Sequence, residues 1–96
     1  MNSPVKVNVV WSEQKMGRLP EGTRYATVAK FAEDADTWPS EGWSVVLDFA
    51  PETAQVRSFE ATARFLMPNA PWGRLKSGCI FELFEGAKLA ATVKVL

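Results

Sequence analysis

The chain has 96 residues, with eleven basic and eleven acidic side chains, no histidine and one cysteine. That length predicts one domain with a single core, and zero net charge supplies no global field toward nucleic acid or an anionic membrane. The missing histidine excludes Ser-His-Asp and Cys-His nucleophile pairs and histidine-held metals, and a lone cysteine excludes an internal disulfide or a zinc site of its own.

Charge is uneven along the chain. Residues 1–30 carry five basic and two acidic groups, residues 31–60 one and seven, and residues 61–96 five and two. Either ordinary solvated faces or an acidic and a basic side of one fold would follow. Met1-Asn2-Ser3-Pro4 leads straight into an alternating segment, and no run is long and apolar enough to span a bilayer. The expectation is a cytoplasmic protein without a membrane segment.

Residues 5–11 read as the first strand, with Val5, Val7, Val9 and Trp11 on one face and Lys6, Asn8 and Val10 on the other. Ser12 to Gly22, with Gly17 and Pro20, reads as a long polar loop. Arg24 to Phe31 is the second strand. Tyr25, Thr27, Ala29 and Phe31 share a face there, but Ala26 and Val28 blur which side is inside. Glu33 to Gly42 reads as a loop punctuated by Pro39 and Gly42.

Trp43 to Phe49 is the third strand, ended by Pro51. Val56 to Met67 is the fourth and longest, and its Ala61 and Ala63 suit a crowded barrel wall. Pro68 to Gly73 forces an exposed loop. Residues 79–96 form a closing hairpin. Cys79, Phe81 and Leu83 alternate with Ile80, Glu82 and Phe84; after Glu85-Gly86, Ala87, Leu89, Ala91, Val93 and Val95 alternate with Lys88, Ala90, Thr92 and Lys94. Cys79 is expected as a buried, inert thiol in that register. Six strands with regular turns predict an all-β fold, a barrel or a sandwich, and closure into a barrel would remove the edge strands.

There is no GxxxxGKS/T phosphate loop and no GxGxxG turn opening a helix. Glu33, Asp34, Asp36, Glu82 and Glu85 read as solvated surface carboxylates, because nothing in the pattern predicts the cleft that a catalytic pair needs. No catalytic site, metal or cofactor is expected. Trp11 and Trp43 fall in strand register and are expected in the core. Trp38 and Trp72 sit beside prolines in loops. Each is either a lid folded back on the barrel end or an anchor for a partner, a role in which tryptophan is enriched. The loop from Met67 through Pro71 to Trp72 is the better candidate for an exposed apolar patch. Arg18, Arg24, Arg64, Arg74 and Lys76 are the candidates for contacting phosphate.

Leu75-Lys76-Ser77-Gly78, Phe81-Glu82-Leu83-Phe84-Glu85-Gly86 and Val93-Lys94-Val95-Leu96 resemble the closing segment of the C-terminal barrel of translation elongation factor Tu. Val5–Trp11, Gly17-Arg18-Leu19-Pro20, Tyr25–Phe31 and Gly42–Phe49 are similar to earlier parts of that domain, and residues 52–73 fit least well. The resemblance implies a closed six-stranded antiparallel barrel. In the family that barrel packs on a GTPase domain and helps hold aminoacyl-tRNA. Arg18 and the Glu85-Gly86 corner are the positions that carry over. The chain departs from the family at Leu19, where the family has a histidine, and at Ala87, Ala90 and Ala91, near the family's closing-turn glycines.

The expected function is a non-catalytic binding module engaging a protein partner through Trp38, Met67, Pro71 and Trp72. The alternative is RNA binding of tRNA type through Arg18, Arg24, Arg74 and Lys76. It requires one basic patch that joins the first loop to the segment before the hairpin.

Overall fold

The computed structural model describes residues 3–38 and 42–96. Pro39, Ser40 and Glu41 of the expected 33–42 loop lie outside the described residues. Six strands form: β1 (Val5–Trp11), β2 (Arg24–Lys30), β3 (Trp43–Asp48), β4 (Ser58–Phe65), β5 (Ile80–Glu85) and β6 (Lys88–Val95). They close into a barrel in the order β1-β4-β3-β2-β5-β6, with β6 returning to β1, and every pairing is antiparallel.

Closure of an all-antiparallel barrel has a consequence for every loop. Odd-numbered strands run one way and even-numbered strands the other. Loops after β1, β3 and β5 therefore meet at one rim, called here the odd rim. Loops after β2 and β4, and the end of β6, meet at the even rim.

The alternating apolar residues fill the interior, as the period of two requires. Val7, Val9, Val45, Leu47, Leu83 and Val93 make the middle of the core and are fully buried. Ala61 and Ala63 are buried too, and the small side chains let β4 approach its neighbours inside the wall. Aromatic rings plug both ends. Trp11, Tyr25, Phe49 and Phe59 interlock at the odd rim, with ring centroids 5.3–5.5 Å apart. Phe31, Phe65 and Phe81 do so at the even rim, with Phe31 stacked on Phe81 at 4.6 Å.

Three details differ from strict alternation. Val46 is buried although it faces outward; its cross-strand neighbour Arg64 reaches along the wall to Asp48 (3.8 Å), so an aliphatic stem shields the valine. In the closing hairpin the register shifts between Leu83 and Phe84. Leu83 pairs with Ala91, Phe84 pairs with Leu89, and Ala90 is the extra residue. Both alanines are buried, and Leu89 moves out of the inward row in which alternation places it. Gly86 turns the corner at φ +62°, a region that a Cβ disfavours. Finally, Cys79 precedes β5 and is half-buried, a correction to its expected place inside the strand.

Candidate functional site

The even rim is built by two connections. After β2, a 3₁₀ turn at Ala32–Asp34 folds over the barrel end. Asp34 holds it: its Oδ2 accepts from the Phe31 backbone N–H (3.0 Å), and its backbone oxygen accepts from the Trp38 N–H (2.8 Å). After β4, the chain crosses the same rim through a second 3₁₀ turn at Trp72–Arg74. Ala70 and Leu75 point inward and are buried, which anchors the crossing.

Arg74 joins the two connections. Its Nη1 donates to Asp34 Oδ1 at 3.0 Å, its Nε lies 3.9 Å from Glu33 Oε2, and the guanidinium sits over the Phe31 ring at 5.5 Å. Asp34 is 4% exposed, so the expected solvated carboxylate is instead a buried, doubly bonded one. A charge taken out of water needs partners, and Arg74 supplies the opposite one.

A shallow open groove of about 580 Å³ runs between these connections, lined by Glu33, Pro71, Gly73, Arg74, Lys76 and Cys79. Burial first, and then the Glu33 carboxylate, push the Cys79 thiol up from its ordinary pKa, with Arg74 opposing. The thiol is therefore a poor nucleophile at neutral pH.

Met67 and Trp72 stand on the even rim, 50% and 49% exposed, and Leu66 beside them is equally open. Pro71 lines the groove and is half-buried. Trp38 lies elsewhere. It folds back onto the outer wall, 5.1 Å from the Phe84 ring, and borders a hollow of about 490 Å³ shared with Val28, Phe84, Gly86 and Ala87. A Cβ on Gly42 would project to 2.8 Å from Val28 Cγ2 and 3.1 Å from the Trp38 ring, so a side chain there would push on both. Met67, Pro71 and Trp72 are thus brought together, and Trp38 borders a different depression. Of the other two tryptophans, Trp11 is fully buried and Trp43 is half-buried against the core.

Of the five basic candidates, Arg64 lies within β4, 3.8 Å from Asp48, and the four of the RNA alternative are divided between the rims. Arg18 and Arg24 follow β1 and belong to the odd rim; Arg74 and Lys76 follow β4 and belong to the even rim. The single patch joining them does not form. Arg24 pairs with Asp48 at 2.7 Å, and Arg74 is held as described.

The odd rim carries a cluster that residue patterns did not single out. Lys15, 8% exposed, makes a 2.8 Å ion pair with Glu85 and sits 5.0 Å over the Tyr25 ring. The Tyr25 hydroxyl donates a short hydrogen bond to the same Glu85 carboxylate. The hydrogen bond from Lys15, then that from Tyr25, hold Glu85 below the ordinary carboxylate range. Burial, then Glu85, push the Tyr25 hydroxyl well above its ordinary pKa of 10.0. Glu85 is therefore a structural carboxylate at the hairpin corner. The Ser12 hydroxyl donates to the Leu89 carbonyl (2.6 Å), tying the base of this loop to β6.

Among the described residues no group of three or more Cys, Asp or Glu side chains is arranged to hold a metal ion, and no helix is long and apolar enough to cross a membrane. No protein-family model, curated protein or solved structure matches the chain. What the structure establishes is the architecture, a closed six-stranded antiparallel β-barrel.

Proposed function

We propose that this chain is a non-catalytic, cytoplasmic β-barrel binding module that engages a protein partner through its even rim. The observation that carries the reading is the half-exposed Trp72 beside Met67 and Leu66, on a connection whose backbone is anchored from below. An ordered, solvent-facing tryptophan with apolar neighbours is the usual form of a protein-binding anchor, because its large surface is lost from water without much loss of backbone freedom. The test is capture of partners from the native cell by the wild-type chain and by a Trp72→Ala, Met67→Ser variant, both checked for unchanged unfolding temperature. Specific capture that disappears in the variant supports the reading; equal capture by both overturns it.

The second reading is RNA binding of tRNA type. Its support is the likeness of the Glu85-Gly86 hairpin, the strand number and the closure to the C-terminal barrel of elongation factor Tu, which is an analogy of fold. Arg18 and Lys76 are free of ion pairs among the described residues and would be its strongest contacts. Their separation between the two rims is why the protein-partner reading is preferred. Salt-dependent tRNA binding reduced by Arg18→Ala would favour the RNA reading.

A further inference from the structure

We infer that the partner presents an acidic peptide segment carrying one large apolar side chain, and that this segment lies where β1, β5 and β6 meet the even rim. The inference rests on the protein-partner reading and adds the partner's chemistry. Two large apolar residues are more than half exposed here, Ile80 at 58% and Leu96 at 52%. Three exposed lysines surround them. Lys94 stands opposite Ile80 across β5–β6. Lys6 accepts the Leu96 N–H on its backbone oxygen at 2.9 Å. Lys76 begins the turn whose Gly78 N–H bonds to the Val95 oxygen at 2.8 Å. Backbone bonds therefore hold all five residues at one corner, next to the crossing that carries Trp72.

No acid stands directly opposite Lys6 or Lys94; Glu60 and Glu82 are their diagonal neighbours, and Glu33 shares a groove with Lys76. Lys94 faces Ile80 and Asn8, and Lys6 faces Thr62. None of the three makes an ion pair among the described residues. Glu82, the next acid along β5, already faces Lys30 and Thr92. Three exposed lysines free of ion pairs among the described residues, set around exposed apolar side chains, are complementary to carboxylates flanking an apolar anchor. The same rim selects among anionic partners. The exposed Glu33 of the first 3₁₀ turn lines the same groove as Lys76, and Asp36 follows it, also exposed. A lipid headgroup plane or a nucleic-acid backbone laid over the rim would meet those carboxylates. A peptide can instead set its carboxylates at Lys6 and Lys94, on β1 and β6, with its apolar side chain beside Ile80.

The test is selection of a random peptide library on the immobilised chain, followed by affinity measurements on the enriched peptides. Phosphatidylserine-containing vesicles and tRNA serve as competing probes. The expected peptides carry several Asp or Glu residues around one aromatic or aliphatic residue. Their affinity should fall about tenfold or more in a variant with Lys6→Glu, Lys76→Glu and Lys94→Glu, and also on raising the salt concentration. The same three lysines changed to Gln give a milder loss and serve as the measurement if the reversed variant fails to fold. Peptides without acidic bias, or binding insensitive to the lysines yet lost in Trp72→Ala, overturn the inference and leave the protein-partner reading intact. Tighter binding of vesicles or tRNA than of any peptide overturns it in favour of that ligand. Enrichment of no peptide at all overturns the inference, and the protein-partner reading then stands or falls by the capture experiment.

Discussion

Both ends of the barrel are plugged by aromatic rings, and each plug is covered by a cation held by a carboxylate. At the odd rim Lys15 lies over Tyr25 and pairs with Glu85; at the even rim Arg74 lies over Phe31 and pairs with Asp34. The surroundings then diverge. The odd-rim loops are held by Lys15, by the Trp11 indole N–H to the Ala54 carbonyl (2.9 Å) and by Gln55 to the Pro20 carbonyl (2.7 Å). Their tryptophan is inside. The even rim keeps Trp72, Met67 and Leu66 in solvent although its crossing is equally anchored. Among the described residues the odd rim exposes Met16 and Val56 but no aromatic ring; the even rim exposes a tryptophan beside two further large apolar side chains.

Substitutions at matched positions sharpen this contrast. Trp11→Ala should cost about 3–5 kcal/mol in chemical denaturation, since it empties a fully buried aromatic site and orphans the Ala54 carbonyl. A loss below about 1 kcal/mol would mean that the odd-rim plug is not structural. Asp34→Ala should cost about 2 kcal/mol, because it leaves Arg74 and the Phe31 N–H without their acceptor. Hydrogen exchange should show the loss concentrated at the even-rim connections, and a uniform loss would sink the idea of independent caps.

The odd cap also predicts a pH dependence. The folded pKa of Glu85 lies below its unfolded value, so its contribution is present above the ordinary carboxylate range. It is lost as pH falls from about 4.5, the ordinary value. Glu85→Gln should therefore flatten the acid limb of the stability curve. Tyr25 has the opposite sign: its folded pKa is raised, so stability is present below 10.0 and lost as pH rises beyond it. Tyr25 is the chain's one tyrosine, so phenolate absorbance reports it cleanly, and ionisation at the ordinary pH would refute the hydroxyl–Glu85 bond.

The smallest stability effect belongs to the even rim. Trp72→Ala should change stability by no more than about 0.5 kcal/mol while removing partner binding. A large loss of stability would show Trp72 to be a second plug and erase the contrast between the rims.

The six strands and their inward rows were legible in the residues because a period of two and its turn signals are local properties. Val7, Val9, Leu47, Phe65, Phe81 and Val93 all lie where alternation places them. The missing histidine and lone cysteine limited the chemistry equally directly. The exposed Met67–Trp72 loop followed from its prolines, which have no amide to donate to a ladder. Pairing across the chain was another matter. Nothing near Lys15 or Arg74 announces Glu85, seventy residues away, or Asp34, forty away. The division of Arg18 and Arg24 from Arg74 and Lys76 depends on strand direction around a closed antiparallel ring. Local alternation decides which face of a strand is buried. Only closure decides which loops share a rim, and so which charges cancel and which remain for a partner.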